Sequence, residues 1–109
     1  MGKRDKKKIK GNRDKPRLAV YRSNKHIYAQ VIDDLSSKTI ISCSTLEVEV
    51  KAKCEKTSNK EASKIVGETI GKRLLNVNIQ EIIFDRGQKR YHGRIKELAE
   101  GIRSVGLRF

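Results

Sequence analysis

The stretch "RLAVYRSNKHIYAQVIDD" (residues 17–34) decides the fold. Apolar and polar residues alternate on both sides of "SNK", the period-2 signature of two half-buried strands. A two-residue turn at Asn24 and Lys25 would pair Ser23 with His26. The register then follows, because one slipped residue would turn every side chain to the wrong face. Leu18 and Val20 face Val31 and Ala29 on an apolar side. Tyr21 lies opposite Tyr28 and Ala19 opposite Gln30 on a half-polar, aromatic side.

Working outward, Pro16 suits the threshold of the first strand, where its missing N–H does no harm. Residues 1–15 are charged and poor in apolar groups and read as a flexible basic arm, with a single domain over residues 16–109. Downstream, "DDLSSK" is a turn and "TIISCS" a third strand. Ser58 and Glu61 form a capping box. Ala62, Ile65, Val66, Ile70 and Leu74 then fall on one helical stripe, with Gly67 and Gly71 beside it to let the helix approach a sheet. "EIIFD" (residues 81–85) reads as a short strand and "RGQKRYHGR" as a loop. Ile95, Leu98, Ala99, Ile102 and Val105 mark a second helix closed by Gly106. The order is β-β-β-α-β-α, an α/β (mixed α+β) sheet with both helices on one face and the other face open.

Charge narrows the function. The 109 residues carry 26 Lys and Arg against 13 Asp and Glu, a net +13. Residues 1–25 hold eleven basic and two acidic groups, the middle of the chain is near neutral, and residues 72–109 are again positive, at +5. A polarised excess of this size predicts a polyanionic partner, nucleic acid or anionic membrane. Beyond Met1 the arm has one apolar residue, Ile9, so it cannot insert as an amphipathic helix, and no run is long enough to span a bilayer. The N-terminus has no apolar stretch of the kind a secretory signal needs. Cys43 and Cys54 lack metal-ligand spacing and read as reduced thiols.

Three segments are candidates for contact with nucleic acid, RNA or DNA. The arm offers Arg4, Lys6, Lys7, Lys8, Lys10, Arg13 and Lys15, cations that release counterions when they dock on phosphates. The hairpin offers the tip Arg22, Ser23, Asn24, Lys25 and His26, and the rings of Tyr21 and Tyr28. Those rings either pack across strands or meet bases and riboses. The third segment is the loop Arg86, Gly87, Lys89, Arg90, Tyr91, His92, Gly93 and Arg94, set between a strand and a helix N-terminus. Catalysis is not expected. His92 has no nucleophile or metal cluster beside it, and two-metal nuclease chemistry needs converging carboxylates that "RLAVYR" lacks. No cofactor or metal is expected.

"KPRLAVYRSNKHIYAQVIDD" and "FDRGQKRYHGRIKELAEGIRSVGLRF" together resemble the bacterial-type ribosomal L18 family of the large subunit. The likeness runs from about residue 15 to 109 and is loose between about 34 and 58. It implies a ribonuclease H-like fold without catalysis, and binding to 5S rRNA and a neighbouring stretch of 23S rRNA. It also implies contact with other proteins of the central protuberance, and by matching position it makes Arg17 RNA-facing along with the arm cations, Lys15, the tip from Arg22 to His26 and the loop from Arg86 to Arg94. The arm is shorter and richer in lysine than in many bacterial members, and Lys89 and Arg90 stand where small or apolar residues are common. Richness in Lys, Ile and Asn suggests an AT-rich genome, which leans toward a plastid ribosome over a bacterial one.

Overall fold

The computed structural model describes residues 11–54, 60–85, 87 and 93–109. β1 (Arg17–Arg22) and β2 (Ile27–Asp33) form the expected antiparallel hairpin. Its register pairs Leu18 with Val31, Val20 with Ala29 and Tyr21 with Tyr28, and the Ser23 N–H donates to the His26 carbonyl at 2.9 Å. The turn thus closes over two residues, Asn24 and Lys25. β3 (Lys38–Ser44) pairs antiparallel with β2 through a register shift at Val31/Ile32. β4 (Ile83–Asp85) runs parallel to β1, giving the order β3-β2-β1-β4. It is shorter than the stretch expected from "EIIFD", because Glu81 leaves β1 and bridges to Arg108 instead.

α2 (Lys60–Asn76) and α3 (Gly93–Ser104) supply the other layer. Val66, Ile70 and Leu74 join Ile95, Leu98 and Ile102 over Leu18, Val20, Ala29 and Val31 in a single buried cluster. Burial of these apolar side chains is the main force behind the fold. Ser58, the expected cap of α2, lies outside the described residues. Its far end closes on Asn78, whose positive φ of 65° puts the Ile79 N–H on the Leu74 carbonyl at 3.0 Å.

Three further features differ from the sequence reading. A one-turn helix, α1 (Val48–Lys51), precedes α2 and buries Val50. Four residues are too few to show a helical period. Ala19, on the half-polar side, is buried. Gly67 and Gly71 face α3, not the sheet. A Cβ on Gly67 would stand 2.1 Å from the Leu98 carbonyl oxygen, and one on Gly101 2.3 Å from that of Lys64. Backbone meets backbone there, so the glycines set the distance between two helices.

Candidate nucleic-acid interface

The open side of the sheet and its hairpin tip hold most of the described candidates. Arg22, Ser23, Asn24 and Lys25 are exposed, and Tyr21 is 49% exposed. The rings of His26 and Tyr28 lie 6.4 Å apart, tilted at 54°. The tip is held from below by Thr45, which the sequence reading did not single out. Its buried Oγ1 accepts the Ile27 N–H at 3.1 Å and lies 3.0 Å from His26 Nδ1. A threonine after a strand carries no signal of that role, since its partner is set by the β2–β3 pairing.

Arg94, at the start of α3, reaches the same tip. Its Nη2 donates to the Ser23 carbonyl at 2.9 Å, joining residues 71 apart in sequence. The other terminal nitrogen, Nη1, is buried and has no hydrogen-bond partner among the described residues. Hairpin tip and loop end therefore form one surface. Gly87 is exposed, and Gly93 and Arg94 are partly covered. Arg86, Lys89, Arg90, Tyr91 and His92 lie outside the described residues, as do Arg4, Lys6, Lys7, Lys8 and Lys10 of the arm.

Arg13 and Lys15 are exposed. Behind them Gly11 is docked on the body of the protein. Its N–H donates to Asp34 Oδ2 at 2.7 Å, and its carbonyl accepts the Asp34 N–H at 3.0 Å. Asn12 closes this bend, its Oδ1 accepting the N–H groups of Asp14 and Lys15.

Arg17 stands apart from the other cations. Its guanidinium takes both oxygens of Asp34, Nε to Oδ2 and Nη2 to Oδ1, each at 3.0 Å, and Asp85 Oδ2 at 3.1 Å. The hydrogen bond to Asp34 holds the Arg17 pKa above its ordinary value. The arrangement bears on nuclease chemistry. The carboxylates of Asp34 and Asp85 converge on a guanidinium, which fills the place a cation would need. Among the described residues no group of three His, Cys, Asp or Glu could hold a metal ion.

Acidic groups at the cap and first turn of α1 are drawn off in the same way. Arg73 of α2 donates to Glu47 at 2.6 Å, Glu49 at 3.0 Å and the Ser42 carbonyl at 2.7 Å, and the bond to Glu47 raises its pKa. No helix among the described residues is long and apolar enough to cross a membrane.

Comparison with known proteins agrees with this picture. The family model described as ribosomal L18 of archaea, bacteria, mitochondria and chloroplast matches residues 2–109. Large ribosomal subunit protein uL18c of Guillardia theta is 59% identical over 102 residues, 94% of this chain and 95% of that protein. The uL18 protein of Thermotoga petrophila is 53% identical over 107 residues, 98% of this chain and 88% of its own. That of Microcystis aeruginosa is 48% identical over 106 residues, 97% of this chain and 88% of its own.

Proposed function

Because the chain belongs to the ribosomal L18 family, we propose that it binds 5S rRNA and helps attach it to 23S rRNA in the central protuberance. It is a structural protein of the large ribosomal subunit that binds rRNA, and not an enzyme. The observation that carries the finer reading is the Arg94 bond to the Ser23 carbonyl. It brings the two segments of family-like sequence, hairpin tip and loop end, onto one side of the molecule. A rigid pair of segments presents donors in fixed geometry, which is what selection of one folded RNA requires. The arm supplies the sequence-independent part by neutralising phosphates. The Guillardia uL18c relative and the Lys, Ile and Asn richness support a plastid ribosome as the setting.

Titration of the full chain with 5S rRNA and with an unrelated structured RNA, at ~0.2 M salt, tests the reading. A clear preference for 5S rRNA is expected. Equal affinity for both would leave only the electrostatic component and overturn the proposal.

A further inference from the structure

A cation in a basic, RNA-binding hairpin has an obvious role as a phosphate ligand, and Arg17 lies beside Lys15 in such a hairpin. Its surroundings argue otherwise. The guanidinium is about a fifth exposed and is flanked by Asp34 and Asp85, equally shielded. Its Nε, Nη1 and Nη2 all donate to these two carboxylates, so a phosphate at this spot would have to displace them. The bonds are also of the strong kind, charge-assisted and bidentate toward Asp34.

What the two carboxylates do next gives the group its purpose. Asp34 Oδ2 accepts the N–H of Gly11, where the arm leaves the body. Asp85 Oδ1 accepts the N–H of Gly87, where the loop after β4 begins. Each acid thus holds the root of one proposed RNA-binding segment, and one guanidinium holds both acids. Gly11 is fitted closely as well. A Cβ there would stand 2.1 Å from the backbone nitrogen of Arg17 itself.

We infer that Arg17 is a positioning residue that orients the arm and the loop together through Asp34 and Asp85, and not a ligand of RNA phosphate. The inference rests on the rRNA-binding reading above for its purpose, but not for its geometry. Bringing two cationic segments to fixed exits in the free protein reduces the ordering that binding would otherwise require. Lysine keeps the charge but cannot fork between two carboxylates, so charge and geometry are separable at this position.

The test uses Arg17→Lys and Asp85→Asn in the full chain. In the free protein, amide hydrogen exchange at Gly11 and Gly87 is read in wild type and Arg17→Lys. Loss of a bond to a charged group predicts exchange about tenfold faster or more at both residues. Unchanged rates at either one would overturn the coupling. In titrations with 5S rRNA, Arg17→Lys is expected to weaken binding about tenfold although the net charge is unchanged. Full retention would restore the phosphate-ligand role. Asp85→Asn makes the protein more positive and, by charge alone, should bind RNA more tightly. Weaker binding is expected here, and tighter binding would overturn the inference. If wild-type protein shows no preference for 5S rRNA, the functional reading fails on its own, while the exchange rates still judge the positioning role.

Discussion

Gly67→Ala puts the seam between α2 and α3 to a direct test. The added Cβ would lie 2.1 Å from the Leu98 carbonyl oxygen, 3.0 Å from its carbon and 3.1 Å from the Ile102 nitrogen. Ordinary contact begins at 3.4 Å, so the shortfall is about 1.3 Å and the helices must part to relieve it. The obstacle is helix backbone, which cannot rotate away as a side-chain tip can. Overpacking of this sort costs ~1–3 kcal/mol, and the rigidity of the neighbour favours the upper end. Parting the helices also loosens Val66, Ile70, Leu98 and Ile102, and a gap of ~0.5–1 Å forfeits a quarter to a half of a dispersion contact. Against this, alanine improves helix propensity by ~1 kcal/mol. The net expectation is a loss of about 2 kcal/mol, or roughly 8 °C in melting temperature for a domain of this size. Thermal and urea unfolding followed by far-UV circular dichroism would measure it. Gly101→Ala should cost a similar amount, and the double variant less than the sum, because one separation relieves both clashes. A Gly67→Ala protein that melts higher than wild type would refute the reasoning, since only an uncrowded helix glycine gains from the change.

Further outcomes concern Cys43, Arg94 and the arm. Burial, with Glu47 nearby, pushes the Cys43 thiol from 9.0 up to about 12. The folded state therefore keeps its proton where the unfolded chain has lost it. The stability this gives is complete below pH ~9 and falls by ~1.4 kcal/mol per unit as pH rises toward 12. Urea midpoints from pH 8 to 11 should fall more steeply for wild type than for Cys43→Ala, and parallel curves would contradict the burial argument. Arg94→Ala frees the hairpin tip, so it should reduce the preference for 5S over unrelated RNA while changing the salt slope by no more than ~1. Deleting residues 1–14 should do the reverse, lowering affinity and flattening the salt dependence while sparing the preference. Titrations at several salt concentrations with both RNAs would separate the two, and exchanged results would overturn the division of roles.

Much of this protein is determined by local pattern. The alternation through residues 17–34 sets the hairpin register down to the Ser23–His26 closure, because a side-chain period of two admits one pairing that buries Leu18, Val20, Ala29 and Val31 together. The stripes of α2 and α3 are legible for the same reason, and the charge totals and the two family-like segments point to rRNA. Tertiary structure decided the rest. "LEVEVKA" (residues 46–52) alternates as a strand would, yet it turns once as α1, leaving Val48 82% exposed and Val50 buried. Its pattern cannot say whether a strand lies alongside to receive it. Gly67 and Gly71 announce a close approach but not the partner, since small residues suit a sheet and a helix alike. Arg17 is the sharpest case. In sequence it is one more cation beside Lys15, because the acids that engage it lie 17 and 68 residues away. Periodicity is a property of neighbours along the chain. Ion pairing and backbone clearance are properties of neighbours in space, and they exist only once the sheet and both helices have closed.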